Sequence, residues 1–143
     1  MKEAYLWEEK GRAYMQISPQ VAIECFNKAL KMNPQFSDRV LIAKGEALCM
    51  LKRYKEAIEC YDKALKINHK MNCGALDAKG EALYQLKRYK EALKCFDKSL
   101  KIEHRDSSVW RNKGIALEAL GKNKEADICF KKAESLPQDF YEI

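Results

Sequence analysis

The heptapeptide LKRYKEA occupies Leu51–Ala57 and returns unchanged at Leu86–Ala92. KGEAL precedes both copies (Lys44–Leu48 and Lys79–Leu83), and CYDKALKI (Cys60–Ile67) or CFDKSLKI (Cys95–Ile102) follows them. Self-similarity at a period of about 20–50 residues marks a stacked repeat architecture, in which each unit buries its apolar face on its neighbours. The duplication is therefore read as structural, the same corner built more than once.

Working outward, the repeat extends over almost the whole chain. Gly11, Gly45, Gly80 and Gly114 form one register, and Ala22, Ala57, Ala92 and Ala126 a second. Trp7, Leu41, Leu76 and Trp110 stand four residues before the glycines, and Tyr14, Leu48, Leu83 and Leu117 three after. Phe26, Tyr61, Phe96 and Phe130 follow the alanines by four, and Ala29, Ala64, Ser99 and Ala133 follow those by three. Spacings of three and four place each set on one helix face. First helices are predicted near 3–16, 38–51, 73–86 and 107–120, and second helices near 20–32, 54–67, 89–102 and 123–136. Small residues such as Gly45, Ala47, Ala57 and Ala64 let paired helices approach closely, while Leu48, Leu51, Tyr61 and Leu65 fill the space between.

The chain resembles an array of four tetratricopeptide repeats, whose pattern is W-x2-L-G-x2-Y, then A-x3-F-x2-A, then Pro. The first repeat shows it as Trp7, Gly11, Tyr14, Ala22, Phe26, Ala29 and Pro34. Departures are Lys10, Lys44, Lys79 and Lys113 in place of the leucine, His69 and His104 at the closing proline, and Pro137 one residue early. The stretch ISPQ makes the inner turn of the first repeat one residue short. The resemblance implies an all-α, right-handed helical-repeat solenoid of four helix–turn–helix units. It forms one domain over 1–143, with repeats at about 4–37, 38–72, 73–106 and 107–136 and a tail at 137–143.

Composition agrees. The 143 residues are 47% hydrophobic and 34% charged, with few glycines and prolines, which fits an ordered helical domain. No apolar run approaches the ~18 residues of a membrane helix, and MKEAYLWEEK has no signal-peptide pattern. A cytoplasmic protein that does not engage membranes is expected. Cys25, Cys60, Cys95 and Cys129 each precede the aromatic of a second helix, so they are one position written four times. No C-x-x-C pair suggests metal or redox chemistry, and Cys49 and Cys73 lack ligand spacing. The row reads as small buried side chains.

In the family it resembles, first helices line a concave groove. The groove face implied here carries Tyr5, Glu8, Arg12 and Met15 from the first repeat, and Arg39, Ile42, Glu46 and Cys49 from the second. The third supplies Gly74, Asp77, Glu81 and Tyr84, and the fourth Ser108, Arg111, Ile115 and Glu118. Although the chain carries a net charge of +6, this face leans acidic, most clearly at Glu46, Asp77 and Glu81. It suits a peptide or protein segment with basic and apolar side chains. Relatives that grip a terminal carboxylate do so with Lys, Asn and Arg. The matching positions here hold Glu8, Arg12, Ala43, Gly74 and Ala78, so that clamp is absent.

The lysine row Lys10, Lys44, Lys79 and Lys113 reads as stems covering apolar surface, with ammonium groups reaching water or an acid. Basic residues cluster at the corners beside tyrosines, Tyr54 and Tyr89, that are read as packing side chains, which argues against nucleic acid. No P-loop, dinucleotide fingerprint or nucleophile–His–Asp ordering is present, and no enzymatic activity and no cofactor are expected. The reading is a protein-interaction scaffold or adaptor.

The last repeat alters its outer face: Asp127 and Glu134 stand where earlier repeats have apolar residues. That suits a solenoid end, so no fifth repeat is expected. Ile128 remains apolar there. Phe140 or Tyr141 of the tail PQDFYEI covers it or docks on another copy, making a homo-oligomer the rival expectation.

Overall fold

Ala, Leu, Lys and Glu with apolar residues every three or four positions favour helix, and helix is what the chain forms. The computed structural model describes residues 2–34, 38–68 and 72–137. These residues contain eight α-helices and no strand. They are α1 Lys2–Tyr14, α2 Pro19–Met32, α3 Asp38–Met50, α4 Tyr54–Ile67, α5 Cys73–Gln85, α6 Tyr89–Ile102, α7 Ser107–Ala119 and α8 Asn123–Ser135. Every boundary lies within two residues of the span predicted above. His69, Phe140 and Tyr141 lie outside the described residues.

The chain divides into two compact units, Met1–Lys70 and Met71–Ile143. In the first, α1 pairs with α2 and α3 with α4, and α2 packs against α3. In the second, α5 pairs with α6 and α7 with α8, joined through α6 and α7. Each unit is thus two stacked helical hairpins.

One contact recurs in all four hairpins. A methyl group placed on Gly11, Gly45, Gly80 or Gly114 would lie 2.5–2.6 Å from the Cε1 atom of Phe26, Tyr61, Phe96 or Phe130 respectively. No real pair of carbons sits so close, so the bare backbone of each first helix is the seat of the second helix's ring. Around these rings Ala22, Ala57, Ala92 and Ala126 are fully buried, and Cys25, Cys60, Cys95 and Cys129 are buried too. Burial pushes the Cys60 and Cys129 thiols up, as expected for small core residues without a metal or base to ionise them. Ser99, in the row otherwise occupied by alanine, is buried and donates its hydroxyl to the Cys73 carbonyl at 3.2 Å, which satisfies the polar group.

The repeated heptapeptide is a Schellman corner. Arg53 N–H donates to Leu48 C=O at 2.8 Å and Lys52 N–H to Cys49 C=O at 2.9 Å. Arg88 and Lys87 repeat the pair on Leu83 and Tyr84, and Lys122 and Gly121 on Leu117 and Glu118. These bonds recover carbonyls that a helix end otherwise leaves unpaired. The motif needs one residue in the left-handed region: Lys52 has φ 60°, Lys87 φ 62° and Gly121 φ 79°. The corner arginines do not simply point to water. Arg53 pairs with Glu56 at 2.6 Å and Arg88 pairs with Glu91, and the hydrogen bond from Arg88 holds the Glu91 carboxyl below its usual range.

The first hairpin closes differently. Ser18 N–H bonds to Tyr14 C=O at 2.7 Å, ending α1 at Tyr14, and the Ser18 hydroxyl accepts from Val21 N–H at 3.4 Å. Pro19 follows at the first helical position, where its missing N–H costs nothing. Between hairpins of the second unit, the Trp110 indole donates to the His104 carbonyl at 2.8 Å, tying the turn that enters α7. In the lysine row, Lys10 lies 4.9 Å from the Trp7 ring centre, and Lys113 pairs with Asp97 at 2.8 Å while covering Trp110. In these two lysines the ammonium group itself meets the ring or the acid.

On α8, Asp127, Ile128 and Glu134 are all exposed, Ile128 to 67%.

Candidate functional site

All of the residues named above for the groove face except Met15 lie on the first helices α1, α3, α5 and α7, and their chemistry differs between the two units. In the first unit Glu8 is buried to 9% exposure. Its Oε1 accepts from Arg12 Nε and Nη2 at 3.2 Å and from Arg39 Nη2, across on α3, at 3.1 Å. One carboxylate is therefore enclosed by two guanidiniums, a charge-assisted arrangement that leaves the cluster with one positive charge in excess. Tyr5 is 54% exposed beside it, and its hydrogen bond to Glu9 raises its phenol above the ordinary value. Met15 falls just past the end of α1, in the turn, because Ser18 stops that helix. Ile42 and Cys49 are half-buried, and Glu46 is exposed. The Cys49 thiol lies 3.6 Å from the Tyr61 hydroxyl, a polar contact for a ring that is otherwise 1% exposed.

The second unit holds the acidic focus. Asp77 and Glu81 stand one turn apart on α5. The Asn112 amide, on α7, donates to Asp77 Oδ1 at 3.2 Å and to Glu81 Oε1 at 2.9 Å. Burial, with the charge of Glu81 behind it, pushes the Asp77 carboxyl up to about 6, and the Asn112 hydrogen bond opposes that rise. No lysine or arginine among the described residues pairs with either carboxylate. Arg111, Ile115 and Glu118 on α7 are exposed. Tyr84 packs on Tyr89 across the corner, ring centres 5.4 Å apart.

Asn112 escaped the sequence reading. It lies two residues before Gly114, a position held by Glu9, Ala43 and Ala78 in the other repeats. Its one signal is that it carries an amide where the two middle repeats carry alanine.

The described residues contain no group of three or more His, Cys, Asp or Glu side chains arranged to hold a metal. None of their helices is long and apolar enough to cross a membrane.

Residues 15–99, more than half of the chain, match the family model described as anaphase-promoting complex, cyclosome, subunit 3. Residues 78–139 match the model described as tetratricopeptide repeat. A crystal structure of MamA superposes with a TM-score of 0.84 at 24% identity, over 92% of this chain and 76% of that one. MamA 41-end from Desulfovibrio magneticus RS-1 gives 0.85 at 22% identity, over 93% and 75%. These likenesses show the fold. A comparison with curated proteins finds no match.

Proposed function

This chain belongs to the tetratricopeptide repeat family, a family of protein-interaction scaffolds, and we propose that its first-helix faces bind a peptide segment bearing basic and apolar side chains. The observation that carries the reading is the Asp77–Glu81 pair: two carboxylates share one neutral donor, Asn112, and no lysine or arginine among the described residues is paired with them. A lysine or arginine of the partner would supply the missing countercharge, while Ile115, 37% exposed, and Tyr84 offer apolar contact beside it. Glu8 does not serve this purpose, since Arg12 and Arg39 already neutralise it. The basic preference therefore centres on the second unit. The role is presentation of a rigid face, without catalysis and without a cofactor.

The test is calorimetric titration of the full chain with a set of twelve-residue peptides alternating Lys or Arg with Leu, beside acidic counterparts of equal length. Basic peptides should bind. Glu81→Gln with Asp77→Asn should weaken them about tenfold or more, and added salt should weaken them further. Equal affinity for acidic and basic peptides, or indifference to the double substitution, would sink the assignment.

A further inference from the structure

A second surface shares none of the residues of those faces. Leu30 of α2, Pro34, Leu41 of α3, and Lys63, Lys66 and Ile67 of α4 line an open cleft of about 390 Å³ in the first unit. Its walls are aliphatic and its rim is cationic. Ile67 is 47% exposed, although it ends a helix whose other apolar residues are turned inward. Lys63 and Lys66 sit three residues apart on one face of α4, and neither makes an ion pair among the described residues.

We propose that segment 138–143 of a second copy of this chain occupies the cleft. Its sequence QDFYEI combines Phe140, Tyr141 and Ile143 with two acids, Asp139 and Glu142, and contains no lysine or arginine. In a chain of net charge +6, that is the complement the cleft lacks: an aromatic for the aliphatic walls and a carboxylate for each lysine. Such a pairing excludes the basic peptides proposed for the other surface, which Lys63 and Lys66 would repel. Four helices, α5 to α8, intervene along the chain between cleft and segment, and a second copy supplies the segment without any demand on the first. Exchange in both directions closes a two-fold dimer, whereas exchange in one direction builds an open chain.

The experiment uses the full chain carrying Phe140→Ala and Tyr141→Ala as receiver, titrated by fluorescence anisotropy with labelled QDFYEI. Saturable binding is expected. Lys63→Glu with Lys66→Glu in the receiver should weaken it about tenfold or more with helicity unchanged by circular dichroism. A peptide carrying Asp139→Lys and Glu142→Lys should then bind the charge-reversed receiver in preference to the original one. In parallel, sedimentation of the unsubstituted chain should show mass rising with concentration, and the Phe140→Ala/Tyr141→Ala chain should lose that rise. No saturable binding, equal affinity for the charge-reversed receiver, or equal affinity for a scrambled peptide would each overturn the assignment. A mass that stays monomeric at all concentrations would overturn the second copy as its source.

Discussion

Gly45 and Tyr61 form a single fitted contact, with the ring edge of Tyr61 filling the volume a side chain on residue 45 would occupy. The same contact seats Gly11 on Phe26, Gly80 on Phe96 and Gly114 on Phe130. It explains why paired helices come so close and why the aromatic is placed four residues after a fully buried alanine. Gly45→Ala forces the ring or a helix to move and should destabilise the fold by about 1–3 kcal/mol. Gly74, with nothing within 4 Å of its missing Cβ, provides the control. Gly74→Ala should be neutral or stabilising by up to about 1 kcal/mol. Urea unfolding of both variants separates the two outcomes, and equal effects would remove the contact from the account.

The corners make the opposite prediction for glycine. Lys52 and Lys87 hold left-handed conformations that L side chains adopt at a cost of about 1–2 kcal/mol, where the last corner uses Gly121. Lys52→Gly or Lys87→Gly removes that cost but loosens the unfolded chain by about 0.4–1 kcal/mol. A net gain of up to about 1 kcal/mol each is expected by thermal melting. Gly121→Lys should lose a similar amount.

Asp77 gives stability a defined pH dependence. Its folded carboxyl titrates at about 6, above the ordinary 3.8, so the native state holds the proton more tightly than the unfolded chain. As pH falls through 6 towards 4, this group therefore adds stability, and above 6 the full penalty of the buried charge remains. With screening by solvent, the penalty is about 1–2 kcal/mol. Asp77→Asn should stabilise the fold at pH 7.5 and flatten the difference across pH 4–7. The measurement is denaturant unfolding of variant and parent at matched pH, and parallel curves would reassign the titration.

Glu8 is predicted to matter more than either arginine it holds. Glu8→Gln leaves Arg12 and Arg39 facing one another without their shared anion, at a cost of about 1–3 kcal/mol. Arg39→Ala removes a side chain that is 68% exposed and should cost about 1 kcal/mol or less. A double-mutant cycle read by chemical denaturation shows whether the two substitutions act through the same contact.

Much of this was legible in the sequence, and the reason is periodicity. Trp7, Gly11 and Tyr14 with Ala22, Phe26 and Ala29 repeat at spacings that only packed helix pairs require, so all eight helices and the buried cysteine row could be placed. What escaped depends on atoms rather than on spacing. Two lysines in left-handed conformation look like any solvent-facing lysine, since their strain lies in the backbone. Spacing places Glu8 on the face of α1 expected to line a groove, but it does not show the enclosure of its carboxylate by the arginine four residues on and the one across on α3. Asn112 joins Asp77 to Glu81 only once α5 and α7 lie side by side.

The buried cysteine row has a use beyond packing. Cys25, Cys60, Cys95 and Cys129 stand at equivalent depth, one to each hairpin, with no disulfide among them. Each is a built-in clock: a thiol-reactive label reaches it only when its own hairpin opens, so the order in which the four cysteine-bearing peptides of a digest become labelled reports which hairpin yields first.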